Sequence, residues 1–288
     1  MTQLVGGIEA GGTKFVCAVG YPDGTVMATD KFPTESPEKT MANVFNFFDQ
    51  YELASFAIGS FGPIDINPDS ATYGYITNTP KEGWKNFDFV GAMKKQYPNV
   101  NISWTTDVNI AGYGEYKIGA GKGRKNLLYI TVGTGVGIGY VQDGHFFQGL
   151  SHPEGGHILP RRYPGDDFEG ICPYHGSCLE GLTAGPAVEA RAGKKGQLLK
   201  PNDSVWDYEA FYLAQACANY TVTMRPDIIV FGGGVMKQEQ LFPKIRKETA
   251  KLINNYVETP EMDDYIVHVA LGDEAGIKGC LLLAGDNM

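Results

Sequence analysis

Two stretches of this 288-residue chain carry one pattern: an apolar strand, a glycine turn, a second strand and an aspartate–glycine turn. The first copy predicts strands over residues 4–8, 15–19 and 25–32, with EAGGT and Pro22-Asp23-Gly24 as the turns. The second predicts strands over 126–132 and 138–141, with GTGVG between them and Asp143-Gly144 after them. Helices and strands alternate behind each copy. Helices are expected over 37–51, 88–97 and 108–117, with strands over 55–60 and 101–106. In the second half, helices are expected near 178–191, 206–224 and from the glycines at 232–234 to about 256, with strands at 227–231 and 265–269 and a last helix at 275–284. A pattern that recurs in this way is an internal duplication, and it predicts two α/β domains with a cleft between them. The expected domains are residues 1–117 with 275–288, and residues 118–274.

The charge balance narrows the ligands. With 33 acidic against 24 basic residues the net charge is −9, which disfavours nucleic acid, since phosphate backbones require a concentrated basic face. It does not bear on nucleotides, which need only a local site. No stretch approaches 18 uninterrupted apolar residues, and the first residues lack the basic and apolar regions of a signal peptide. Three of the five cysteines, Cys17, Cys217 and Cys280, lie in apolar contexts and read as buried thiols rather than a disulfide framework. A cytoplasmic protein is expected.

The segment from Glu154 to Glu180 is rich in Gly and Pro and has little periodicity. It holds His157 and then a C-x2-H-x2-C knuckle, Cys172, His175 and Cys178. Four nitrogen and sulfur donors fill a closed tetrahedral site, and this donor set suits zinc better than magnesium or calcium. The expected metal is structural.

Glycine turns let backbone approach a ligand, and their clustered amides form an anion-binding concavity. The turns at Gly11-Gly12-Thr13-Lys14 and at Gly133-Thr134-Gly135 are neither P-loops nor dinucleotide fingerprints, because each leads into a strand. Gly232, Gly233 and Gly234 follow a buried strand, where open α/β sheets bind ligands. Asp107 follows a predicted strand and opens a helix, so it reads both as an N-cap and as a carboxylate able to orient a phosphoryl acceptor.

As a set, GGIEAGGTKF, TDVNIAGYGE, YITVGTGVGIGY, PEGGHILP, CPYHGSCLE, IIVFGGGV and AGIKGCLLLA resemble the ROK sugar kinases of the actin–hexokinase superfamily. Within that family IEAGGTKF and CPYHGSCLE are similar to the bacterial zinc-containing fructokinases. The resemblance implies an actin-like ATPase (ribonuclease H-like) fold of duplicated βββαβαβα units. It implies transfer of the γ-phosphoryl group of ATP to fructose, with Mg2+ accompanying ATP, structural Zn2+, domain closure on sugar and a homodimer.

Residue by residue, it implies ATP contacts at Gly11, Gly12, Thr13 and Lys14, at Thr131, Gly133, Thr134 and Gly135, and at Gly232, Gly233 and Gly234. Asp107 matches the catalytic base, and Asn78, Glu154, His157 and Glu180 match sugar contacts, with His157 also a zinc ligand. Two positions depart from the pattern. Glu9 stands where Asp is usual near magnesium, and Thr106 stands where glucose-specific relatives carry Asn. Competing substrates are glucose, mannose and N-acetylated hexosamines. A sugar-sensing repressor is the competing class, which the first strand, expected within a few residues of Met1, leaves no room for. Loss of zinc is expected to weaken sugar binding and to leave ATP contacts less affected. Arg161 and Arg162 are expected to be solvated loop charges.

Overall fold

A computed structural model describes residues 3–288; residues 1 and 2, with which the first expected domain opens, lie outside the described residues. The first half runs β1 (Leu4–Ala10), β2 (Lys14–Gly20), β3 (Val26–Pro33), α1 (Pro37–Phe48), β4 (Leu53–Ser60), the short β5 (Tyr75–Ile76) and β6 (Phe87–Asp88), α2 (Phe89–Gln96), β7 (Asn101–Thr106) and α3 (Asp107–Ile118). The second half runs β8 (Asn126–Val132), β9 (Val136–Gln142), β10 (His145–Phe146), α4 (Leu179–Thr183), α5 (Gly185–Ala192), α6 (Val205–Met224), β11 (Ile228–Gly232), α7 (Leu241–Ile253), α8 (Met262–Tyr265), β12 (Ile266–His268) and α9 (Ala275–Asp286).

Two five-stranded sheets express the duplication. Their orders are β3-β2-β1-β4-β7 and β10-β9-β8-β11-β12, so in both the third, second, first, fourth and fifth strands lie side by side. β1 pairs antiparallel with β2 and parallel with β4, and β8 does the same with β9 and β11.

The chain divides into two compact units. One comprises the chain up to Lys122 with Gly144–Pro153 and Leu271–Met288, and the other Gly123–Asp143 with Glu154–Ala270.

In the first unit the sheet is covered on both faces, which is why its central strands read as continuous apolar runs rather than alternating ones. One face packs Ile8, Phe15, Phe56 and Ile58 against Met41, Val44 and Phe48 of α1 and against Trp84 and Phe89. The other packs Val5, Val16 and Ala57 against Ile110 of α3 and Ile277 and Leu281 of α9. Helices α3 and α9 cross closely enough that a Cβ on Gly114 would lie 2.4 Å from the Ala275 carbonyl oxygen. The second unit has one core, in which Leu128, Ile130, Ile229 and Phe231 meet Trp206, Tyr212, Leu213 and Cys217 of α6.

Two expected helices begin or break elsewhere. The helix expected over 178–191 is two helices, because Ala184 is extended (ψ 154°) and Pro186 opens α5. The helix expected after Gly234 starts only at Leu241, behind a 3-10 turn at Val235–Lys237. That start puts Pro243 in the first helical turn, where its missing N–H costs no hydrogen bond. Among the described residues no helix is long and apolar enough to cross a membrane, and all five cysteines are free.

Candidate functional site

In the first unit, β7 ends at Thr106 and α3 begins at Asp107. The capping residue is Thr106: its side chain accepts a hydrogen bond from the Asn109 amide at 3.1 Å. Asp107 therefore occupies the first helical position rather than the cap, and its Oδ1 accepts from Val108 N at 2.9 Å. Gly59 of β4 gives α3 room to start there, since a Cβ would lie 2.5 Å from Ile110. A carboxylate in the first turn of a helix faces the positive end of the helix dipole, which favours its ionised form.

The first glycine turn joins β1 to β2. Gly11 N donates to Lys14 O at 3.0 Å, Thr34 N donates to Thr13 O at 2.9 Å, and Thr34 Oγ1 donates to Gly11 O at 2.6 Å. Gly12, Thr13 and Lys14 are exposed, and a Cβ on Gly12 would meet nothing within 4 Å. Behind the turn, Glu9 rests against Gly276 in the first turn of α9. Burial raises the Glu9 pKa against the opposing pull of Lys14 and Lys31, with Asp273 adding to the rise. Asn78 is exposed in the bend after β5. The nearby Trp84 is fully buried among Phe15, Phe61, Phe87 and Phe89 and donates its Nε1–H to Glu35 O, so its ring belongs to the core.

In the second unit the two other glycine turns come together. Gly133 N donates to Gly135 O at 2.8 Å, and Gly133 O accepts from Gly185 N, the start of α5, at 2.7 Å. Thr131 pairs with Gly232 across β8 and β11, Thr134 is exposed, and a Cβ on Gly133 would point 3.9 Å from Gly234 N. The three consecutive glycines do different work. A Cβ on Gly232 would lie 2.1 Å from the Tyr129 hydroxyl, and Gly233 sits at φ +89° against Val132. Gly234 alone of the three opens on empty space.

The Gly/Pro-rich segment brings its four expected donors to one point. The ligand atoms of His157, Cys172, His175 and Cys178 all lie within 4.8 Å of one another. His157 Nδ1 is 3.5 Å from Cys178 Sγ and 3.9 Å from Cys172 Sγ, which is 3.7 Å from His175 Nδ1. Metal–donor bonds of about 2.0–2.3 Å give tetrahedral edges of roughly 3.3–3.8 Å, so the donors fit a zinc-sized ion. Their chemistry fits as well. Burial pushes the Cys178 thiol up to about 11, with the neighbouring Cys172 adding to the rise, and a soft divalent cation would favour the thiolate there.

The flanks of this segment are packed hard against β9. Gly156 lies so close that a Cβ would be 1.8 Å from Val136 O, and Gly155 O accepts from the Tyr220 hydroxyl at 2.6 Å. Glu154 is exposed, and its carbonyl accepts from His157 N at 3.0 Å. On the far flank Cys178 caps α4, its sulfur 3.5 Å from Gly181 N. Glu180, two residues on, accepts from Val136 N through Oε2 at 3.0 Å.

Sequence reasoning missed a second anchor in mid-segment. Asp166 receives Arg191 Nη1 at 2.6 Å and Nη2 at 3.0 Å, together with the Tyr212 hydroxyl. Burial alone would raise this carboxyl, but the bonds from Arg191 and Tyr212 outweigh it and bring it down to about 2. Arg191 is itself held between the rings of Phe168 and Tyr208, at 4.4 and 4.5 Å. Arg162 donates to the carbonyls of Asp166 and Phe168, and Arg161 pairs through its backbone with the Gln215 amide. Arg162 thus closes the loop on itself instead of standing free in solvent. No motif flags these residues.

The strand order of both sheets, the glycine turns at equivalent places and the carboxylate at the end of β7 define an actin-like ATPase fold of two domains. Residues 5–287 match the ROK family, and the chain belongs to it. It is 52% identical over 282 residues to a fructokinase of Pediococcus pentosaceus, covering 98% of each chain. It is 48% identical over 285 residues to a putative fructokinase of Bacillus subtilis, covering 98% of this chain and 95% of that one. Among solved structures it resembles a ROK hexokinase from Thermus thermophilus, with a TM-score of 0.81, 25% identity and coverage of 99% and 98%.

Proposed function

We propose that this chain is an ATP-dependent fructokinase that converts D-fructose to fructose 6-phosphate. The observation that carries the reading is the identity to fructokinases of about half of all positions along nearly the whole chain. Asp107 is the base: its carboxylate takes the proton of the sugar's 6-hydroxyl as that oxygen bonds to the γ-phosphorus and the bond to ADP breaks. Its supporting feature is that Thr106, not Asp107, makes the capping bond of α3. Phosphoryl transfer is mostly positioning and electrostatic stabilisation, so a carboxylate serves without an unusual pKa.

The turns Gly11–Lys14 and Gly133–Gly135 receive phosphate oxygens on amides other than Gly11 N and Gly133 N, which close the turns themselves, and Gly232–Gly234 borders the nucleoside. Magnesium brought with ATP would supply positive charge for the phosphates, and Glu9, buried behind the first turn, is the carboxylate that would face it. Asn78, Glu154, His157 and Glu180 hold sugar hydroxyls. Zinc bound by His157, Cys172, His175 and Cys178 is structural; it neutralises the two thiolates and cross-links the segment. With Nδ1 of His157 on the metal side, its Nε2–H is left to donate to a hydroxyl. The protein works in the reducing cytoplasm and assembles as a homodimer, a reading supported by large exposed apolar side chains such as Leu159 and Tyr174.

The test is kcat/KM with ATP for fructose, glucose, mannose and N-acetylmannosamine. Fructose is expected to lead, and a preference for glucose would defeat the specificity while leaving the kinase. Thr106→Asn sharpens it: Asn caps helices as well as Thr, so the fold should hold. The added amide should move the fructose-to-glucose ratio toward glucose.

A further inference from the structure

We propose that Glu180 is a positioning residue for the nucleotide turn as well as a sugar ligand, so that sugar and nucleotide sites are ordered by one carboxylate. The proposal rests on the kinase reading above. Three observations converge on Val136, the residue that follows the second glycine turn. Its amide donates to Glu180 Oε2 at 3.0 Å. Its carbonyl is pressed by Gly156, where any side chain would collide. The two flanks of the metal-bearing segment therefore both bear on one residue.

Gly135 supplies the third observation. Its backbone lies outside the left-handed region, so conformation alone does not demand glycine there. A Cβ at Gly135 would instead lie 2.7 Å from Glu180 Oε2. The second glycine of GTG makes room for the carboxylate that holds the turn. Val136 is buried, so its amide has no water to fall back on if that carboxylate leaves.

With Oε2 committed to the amide, the other oxygen of the carboxylate can accept a sugar hydroxyl. A sugar that immobilises Glu180 then also immobilises the turn that cradles phosphate. By linkage, nucleotide must favour sugar by the same factor. Because Glu180 lies two residues beyond Cys178, the cap of the same short helix, loss of the metal reaches the nucleotide turn too, more directly than the expectation that ATP contacts are less affected allows.

Calorimetric binding of magnesium and a non-hydrolysable ATP analogue, with and without fructose, tests this on the zinc-loaded protein. Glu180→Ala should weaken nucleotide binding about tenfold in the absence of sugar, as loss of a charged hydrogen-bond acceptor does. Glu180→Gln keeps an acceptor for Val136 and should retain nucleotide affinity while losing fructose. Gly135→Ala, which crowds Glu180, should weaken nucleotide by itself and cost nothing more in the Glu180→Ala background. Wild-type nucleotide affinity in Glu180→Ala, or in Gly135→Ala should the former fail to fold, overturns the inference. Wild-type protein that binds no nucleotide overturns the kinase reading and this inference with it.

Discussion

The two glycine turns stand at equivalent places in duplicated sheets, yet they are held by different means. The turn after β1 is fixed within its own unit's sheet, by a backbone bond from Gly11 to Lys14 and by Thr34 at the end of β3. The turn after β8 has a backbone bond of its own, from Gly133 to Gly135, but is otherwise fixed from outside its sheet, by Gly185 at the start of α5 and by Glu180 of α4. Both of those groups follow the long segment that the first copy lacks. Duplication has preserved strand order, which is set by apolar faces and cannot drift by one residue without turning the core outward. It has not preserved the bonds that fix loops, which surface insertions are free to replace. The second turn is therefore tied to the segment that carries the four metal donors, and the first is not.

The largest expected effect separates the units by chemistry. Asp107→Asn keeps the Thr106 cap and so the fold, but it removes the proton acceptor. Turnover with ATP and fructose should fall by about 10²–10⁴-fold, the usual share of general-base catalysis. Zinc content and nucleotide affinity should not change, because neither belongs to this end of α3. Turnover at the wild-type level would remove Asp107 from the chemistry.

Next comes the metal. Protein purified without added zinc should carry about one zinc per chain on a four-donor stoichiometry. Cys178→Ser should lose most of it, melt at lower temperature and raise the fructose KM. The nucleotide affinity should fall as well: Ser can still cap the helix that carries Glu180, so a fall would report the lost metal bond at position 178 rather than a lost cap. A fully active, metal-free preparation would dissolve the contrast between the turns. Residues 158–168 should stay protected from hydrogen exchange in this variant, because Asp166, Arg191 and Gln215 pin them without metal.

Much of this was legible beforehand, and the gaps have physical causes. The strands and their duplication followed from continuous apolar runs punctuated by repeated turns, and the four donors followed from their spacing. The Glu180–Val136 bond joins residues 44 apart, and Asp166 meets Arg191 across 25; no local pattern encodes such pairs. The cap was expected at Asp107 and is Thr106, because both side chains cap well and only the register of α3 decides. The break before α5 had its signal in Gly185-Pro186, which the apolar spacing across it masked.

The smallest effect bears on the first turn alone. Thr34 is buried, and its hydroxyl donates to Gly11 O at 2.6 Å from the end of the neighbouring strand. Thr34→Val keeps the shape and the backbone bond from Thr34 N to Thr13 O, but leaves the Gly11 carbonyl without that donor. A bond of this kind contributes about 0.5–1.5 kcal/mol net, so the ATP KM should rise by roughly two- to tenfold. Glu180, Gly185 and the four metal donors are not linked to Thr34 by any bond of the first turn. Zinc content should accordingly be unchanged, as should the fructose KM at saturating ATP. Measuring both KM values with the zinc content of one preparation decides it. A parallel loss of zinc would mean that the first turn, like the second, depends on the metal-bearing segment.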